Sequence, residues 1–255
     1  MKILELSSLN VSVGSRDLIQ DLNLEVNANE CWGVLGGNGT GKTSLLYTIM
    51  GLRKKQSGSI CVCGKDIGDY SPKSLAKVMG ILFQDSHDAF PVTVMEIVMA
   101  GRYPHLKPWS MYSQEDIQVV EDILKLVEME DMSYRYVNTL SGGERRRVAI
   151  ASIIVQSPQI WLLDEPTNHL DMHYQILMLK LLKQWANKSN GSIIMVLHDV
   201  NLLTRFCTHA ILIIDSKNIL VGKVEDIIKR ENIEVLYDHP VRQYTDNIDT
   251  LYYPE

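Results

Sequence analysis

Gly36, Gly41, Lys42 and Thr43 stand at the spacing G-x-x-x-x-G-K-[ST] inside the run GGNGTGKTS at 36–44. Backbone without side chains lets successive N–H groups turn inward on phosphate oxygens. All nine residues, Gly36, Gly37, Asn38, Gly39, Thr40, Gly41, Lys42, Thr43 and Ser44, are therefore candidate phosphate contacts. Lys42 adds a point charge toward the outer phosphates, and the Thr43 hydroxyl is a hard oxygen ligand suited to Mg²⁺. The plainer reading is a glycine-rich turn between a strand and a helix.

A second cluster of chemistry-bearing residues lies at 160–165, where IWLLDE runs four apolar residues into two carboxylates. The pattern predicts a buried strand that delivers acids to its C-terminal edge, where open α/β sheets bind ligands. Asp164 is suited to hold a metal hydration shell and Glu165 to polarise a water for attack on a phosphate. In LSGGE at 140–144, Ser141 and Glu144 form the S-x-x-E capping box of a helix from about 144 to 156. A helix N-terminus is also an anion site, and Gly142 and Gly143 are not needed by a capping box. Asp171, in NHLD, stands where it would N-cap a helix starting near 172. Gln84 follows the strand-like run GILF, and His198 follows IIMVL; alone, neither says much.

In this order the phosphate loop, Gln84, LSGGE, IWLLDE, NHLD and His198 resemble the ATPase domain of ABC transporters, over essentially the whole chain. An exact LSGGE string arises by chance in under roughly one chain in a thousand of this length. The resemblance implies ATP and Mg²⁺ as cofactors. It implies a phosphate-loop NTPase core of α/β class, with an N-terminal antiparallel β subdomain and an inserted helical subdomain. By resemblance, Gln84 touches Mg²⁺ and the attacking water and senses a membrane partner. Ser141, Gly142 and Gly143 cover the γ-phosphate of an ATP held by a second copy, Asp171 lies along the seam between copies, and His198 hydrogen-bonds the γ-phosphate. Thr43, Gln84 and Asp164 become the metal set, and Glu165, His198 and Gln84 the catalytic one.

Other elements must position these groups. Cys31–Leu35 reads as a short buried strand and Lys42–Met50 as a helix aimed at the anion. Residues 1–30 alternate in strand fashion, as in LNLEV at 22–26, and contain no aromatic residue. Most family members place an adenine-stacking aromatic about two dozen residues before the phosphate loop; here that position is Val13. Asn29-Glu30 replaces the usual Gly-Glu, and Asn tolerates positive φ. Ser71-Pro72 signals a helix start, and Thr93 with Glu96 forms a capping box for a helix near 94–101. Ile117, Val120, Leu124 and Val127 recur at helical spacing. The expectation is one domain over 1–255, with helical texture from about 85 to 157 inserted in an α/β core. The final forty residues show no clear pattern.

Composition bounds the rest. The chain has 255 residues, 45% of them hydrophobic, and a net charge of −6 without a basic arm or stripe, so nucleic acid is a poor partner. MKILELSSLN has no apolar signal region, and no stretch approaches the ~20 apolar residues that span a bilayer. Cysteines stand at 31, 61, 63 and 207; SICVCG reads as a strand with both thiols on one face, reduced and structural.

The stretch TVMEIVMAGRYPH at 93–105 is similar to the segment after the Q-loop in ATPases of iron-chelate, haem and cobalamin importers, as is VLYDHPV near the end. Pro104 and Pro108 limit further helix there. The resemblance implies an ATPase subunit that works as a head-to-tail pair of copies. It implies docking through about 85–110 on integral membrane permease subunits, at the cytoplasmic face of the inner membrane, with a substrate-binding protein as indirect partner. An exporter subunit, or an importer of another cargo, shares the same motifs. Chromosome and repair ATPases of this type carry long coiled coils, and sustained heptads are missing here. Translation-associated members carry two such domains in one chain. A non-enzymatic nucleotide-binding module would not require Glu165 and His198.

Overall fold

Alternation of apolar and polar residues at the N-terminus becomes two long antiparallel strands, β1 (Lys2–Val13) and β2 (Arg16–Asn27), in a computed structural model that describes residues 1–84, 91–107, 110–245 and 250–255. Leu4, Leu6, Leu9 and Val11 of β1 are buried. The pairing slips between Leu6 and Leu9, where Ser8 adopts φ 45°. Asparagine side chains repair the irregular stretch: Ser8 N–H donates to Asn23 Oδ1 (2.9 Å) and Asp21 N–H to Asn10 Oδ1 (3.1 Å). A turn with Asn29 at φ 66° then leads into β3 (Cys31–Gly36), so the left-handed turn survives without glycine.

The chain continues through α1 (Lys42–Ile49), β4 (Ser57–Val62) and β5 (Lys65–Asp66). The SICVCG expectation is corrected here. Only Cys61 lies in β4; Cys63 and Gly64, at φ 49° and 78°, form the two-residue turn of the β4–β5 hairpin, with Val62 paired to Lys65. Two consecutive positive-φ residues suit the twist of a tight hairpin, so turn chemistry ends the strand before the second thiol.

Next come α2 (Pro72–Val78), β6 (Met79–Leu82), α3 (Val94–Ala100), α4 (Gln114–Leu126), α5 (Gly142–Gln156), β7 (Ile160–Leu163) and α6 (Met172–Lys188). The expected start signals hold: Ser71 caps α2, Thr93 and Glu96 form a reciprocal box at α3, and Asp171 caps α6. On α4, Val120, Leu124 and the following Val127 are buried, whereas Ile117 is half-buried. The last stretch holds β8 (Ser192–Val196), α7 (Val200–Phe206), β9 (His209–Ile213), β10 (Ile219–Lys223), α8 (Val224–Ile227), α9 (Arg230–Tyr237), β11 (Val241–Thr245) and β12 (Thr250–Pro254).

These elements form two units. The first contains Met1–Asp69, Leu162–Asp164 and Ser192–Glu255. It holds a four-stranded sheet of order β2-β1-β4-β5, and a second sheet in which β3 runs parallel to both β8 and β9, with antiparallel β10 outside β9. Leu162 and Leu163 of β7 also belong to this unit. Cys31 to Leu35 and all of β8 are buried, as suits a parallel sheet covered on both faces. Each fully buried Val, Leu or Ile stabilises the unit by up to about 1.5–3 kcal/mol.

The C-terminal residues also belong to this unit. Tyr252 on β12 exchanges two hydrogen bonds with the Asn201 side chain of α7 (2.8 and 3.0 Å), and its hydroxyl donates to Ile228 O (2.9 Å). The β11–β12 hairpin thereby fastens α7.

The second unit contains Tyr70–Trp161 and Glu165–Gly191. Its centre is α5, which packs against α3, α4, α6 and β6 and buries Val148, Ile150, Ala151, Ile153, Ile154 and Val155. Arg147 reaches from α5 to the end of α4, where it donates to Val127 O (2.9 Å) and Glu128 O (2.8 Å). Its guanidinium also lies 4.4 Å from the centre of the Tyr174 ring.

Candidate functional site

The phosphate loop lies in the first unit, between the end of β3 and the start of α1. Gly41 is the N-cap of α1, at φ 107°. A Cβ there would approach Leu18 Cβ to 2.8 Å, so both the conformation and the space demand glycine. As glycine it caps without a side chain, and the positive end of α1 points into the loop. Lys42, 7% exposed, folds its ammonium back to donate to Gly36 O (2.7 Å) and Gly37 O (2.8 Å). Gly37, Asn38 and Gly39 are exposed at the tip, and Thr40, Thr43 and Ser44 are half-buried. The loop is thus a shell of backbone with one charge folded against it, suited to polyvalent anions.

Asp164 and His198 belong to the same unit. Asp164 directly follows β7 and is wholly buried. A carboxylate at the C-terminal end of a buried strand, in the unit that also holds the Thr43 hydroxyl, is an all-oxygen donor set that fits a hard divalent cation. His198 is exposed, and the Tyr237 hydroxyl donates to its backbone oxygen (3.1 Å). Among the described residues, no helix is long and apolar enough to cross a membrane.

Gln84 and Glu165 lie in the second unit, and there they meet: Gln84 Nε2 donates to Glu165 Oε2 at 3.1 Å. Asn168 Nδ2 donates a short hydrogen bond to the same oxygen. Glu165 is 7% exposed and adopts φ 51°, an uncommon conformation for a residue with a side chain. Arg146 donates to the Glu165 backbone oxygen at 2.5 Å.

Neither Asn168 nor Arg146 stands out in the sequence as a site residue. Asn168 closes a turn three residues after Glu165, through Asn168 N–H to Glu165 O (3.1 Å), a relation local enough to have been suspected. Arg146 sits in a charged run, ERRR, that looks solvated. Helical spacing from Arg146 to Ile150 and Ile153 places it on the apolar face of α5, and that signal was available.

Ser141, Gly142 and Gly143 form the start of α5, which begins at Gly142, two residues before the expected 144. Both halves of the capping box are present: Glu144 N–H donates to Ser141 Oγ (3.3 Å) and Ser141 N–H to Glu144 Oε2 (2.7 Å). The Ser141 backbone N–H, then its hydroxyl, hold the Glu144 carboxyl below the usual carboxylate range. A Cβ on Gly143 would lie 3.0 Å from His169 O, so this helix start fits closely against the segment leading to Asp171. Asp171 accepts from Tyr174 N–H at 2.9 Å, as a cap does.

The chain therefore presents a phosphate cradle with a buried carboxylate in one unit, and a positioned carboxylate with a capped glycine turn in the other. Residues 19–168 match the family described as ABC transporter. The chain is 36% identical over 237 residues to the probable siderophore transport system ATP-binding protein YusV of Bacillus subtilis, covering 93% of this chain and 86% of that one. It is 35% identical to the petrobactin import ATP-binding protein FpuD of Bacillus anthracis, covering 92% and 86%. Among solved structures it is similar to a metal-chelate type ABC transporter in an inward-facing conformation, with a TM-score of 0.85, 27% identity and coverage of 100% and 98%. With its phosphate loop, its LSGGE turn and a family match over more than half its length, this chain belongs to the ABC transporter family.

Proposed function

We propose that the chain is the ATP-binding and ATP-hydrolysing subunit of an importer that takes up an iron chelate, haem or cobalamin through a separate membrane permease. The observation that carries the reading is the Glu165 carboxylate, fixed by Gln84 and Asn168, in a chain that also holds a complete phosphate loop. The siderophore and petrobactin relatives support the cargo class.

In this reading residues 36–44 grip the triphosphate, with Lys42 turning from Gly36 O and Gly37 O toward the outer phosphates. Thr43 and Asp164, with Gln84, would hold Mg²⁺, which supplies charge neutralisation at the phosphates when bound. Glu165 accepts a proton as water attacks the γ-phosphorus. The new P–O bond forms as the bond to the β-phosphate oxygen breaks, leaving ADP and inorganic phosphate. His198 holds the γ-phosphate in line. Ser141, Gly142 and Gly143, at the capped start of α5, cover the γ-phosphate of ATP held by a second copy, with Asp171 along the seam. The whole of 1–255 acts as one nucleotide-binding domain.

The pair works at the cytoplasmic face of the inner membrane, with a substrate-binding protein as indirect partner. Docking on the permease uses about 85–110; of that stretch, 85–90 and 108–109 lie outside the described residues. Within the rest, Tyr103 is 63% exposed. Next to Gln84, a groove of about 210 Å³ takes Ile97 from that stretch and is otherwise lined by residues outside it, among them Ile81, Leu82, Phe83 and Val137. Such apolar surface beside polar rims suits a helix end of a partner.

Uptake tests the reading. Deleting the gene should abolish accumulation of a radiolabelled ferric siderophore, of haem or of cobalamin, and the gene on a plasmid should restore it. Unchanged uptake of all three would contradict the cargo.

A further inference from the structure

Arg146 is 6% exposed and sits on α5, five residues beyond Ser141. Its guanidinium reaches two separate stretches of backbone. Nη1 donates to Phe83 O (2.6 Å) and Gln84 O (3.4 Å); Nη2 donates to Glu165 O (2.5 Å) and Nε to Pro166 O (3.3 Å). One stretch leaves β6 and carries Gln84, and the other leaves β7 and carries Glu165.

We propose that Arg146 is a positioning residue for hydrolysis: it holds the turns after β6 and β7 in the register at which the Gln84 and Glu165 side chains meet. It acts on the reaction only through those two residues, and the inference rests on Glu165 being the base. Two physical points favour it over a role in packing alone. The contacts use three different nitrogens of a planar fork, a geometry that no other side chain offers. And Glu165 holds φ 51°, a left-handed conformation that is unfavourable for a residue with a Cβ; Nη2 grips the carbonyl of that very residue. Without the grip the Glu165 turn is free to relax, and its carboxylate leaves Gln84.

The test is a mutant cycle on the full-length protein. Arg146→Lys keeps the charge but offers one nitrogen, too few to span both stretches. It should lower kcat about 10- to 100-fold, with KM for ATP changed less than about 3-fold. Gln84→Ala should lower kcat about 10-fold in the wild type but less than about 2-fold in the Arg146→Lys background, because the interaction it removes is already lost. If Arg146→Lys folds poorly, Arg146→Gln, which can bridge at most one stretch, is carried through the same cycle with the same expectation. Multiplicative effects of the two mutations, or kcat within about 2-fold of wild type for both Arg146 variants, overturn the proposal. Glu165→Gln is run alongside. Wild-type hydrolysis by that variant removes the base assignment itself, whereas its inactivity together with a multiplicative cycle removes only the role of Arg146.

Discussion

Gln84 Nε2 and Glu165 Oε2 lie 3.1 Å apart, joining the residue two positions beyond β6 to the second residue beyond β7. Asn168 donates to the same carboxylate oxygen. Both donors orient the carboxylate proposed to accept a proton from water, and neither belongs to the phosphate loop. Asn168→Ala should therefore lower kcat about 10-fold and leave KM for ATP within about 3-fold, as for a group that acts on the chemical step. Steady-state ATPase assays decide it. A rise in KM at constant kcat would place Asn168 in binding instead.

Lys42 is the charge of the loop, and here it is folded against Gly36 O and Gly37 O. If Lys42 contacts phosphate as proposed, Lys42→Ala should cost one charge-assisted contact, about 1.5–3 kcal/mol, or roughly 10- to 150-fold in ATP affinity. Isothermal titration with ATP reads this directly. Equal affinity in the variant would mean that the backbone alone binds the triphosphate.

Val13 is 45% exposed at the end of β1, where the family resemblance places an adenine-stacking aromatic. With an aliphatic side chain there, the base should be held weakly, and ATP and GTP should bind within about 10-fold of each other. Val13→Tyr supplies a stacking face worth about 1–3 kcal/mol and should tighten ATP binding by about 5- to 150-fold. Competition titrations with the two nucleotides measure it. Strong ATP preference in the wild type, unchanged by the substitution, would show that adenine is recognised elsewhere.

Asp116 gives a prediction about stability and pH. The Ser113 backbone N–H, then the Arg102 guanidinium at 2.8 Å, pull its carboxyl down to about 2. A lowered folded value means that the native state favours the charged form. The resulting stability is fully present above the unfolded value of about 3.9 and is lost as pH falls through about 2. Asp116→Asn should cost about 1–2 kcal/mol at pH 7. The difference from wild type should shrink below about pH 4. Urea unfolding at a series of pH values tests the sign; a gap that widens in acid would contradict it.

Much of this was legible because the signals are local. Thr93 with Glu96 and Ser141 with Glu144 cap helices through residues three apart, and the structure forms both boxes. The apolar run before Asp164 became a buried strand for the same reason. Cys63 was misread because strand alternation was carried through a turn, where positive φ at Cys63 and Gly64 overrides it. Arg146 was overlooked because its partners lie about twenty and sixty residues away. The tail was obscure for a similar reason: Tyr252 acquires its role only by meeting Asn201, fifty-one residues earlier.

The most direct measurement is on Glu165→Gln. The substitution keeps the shape and an oxygen that can accept from Gln84 but removes the proposed proton acceptor. The purified variant should bind ATP with wild-type affinity, run as a dimer in size-exclusion chromatography with light scattering when ATP and Mg²⁺ are present, and hydrolyse at least about 100-fold more slowly than wild type. Hydrolysis at the wild-type rate, or a variant that stays monomeric with ATP bound, would contradict an ATPase that closes as a pair and uses Glu165 as its base.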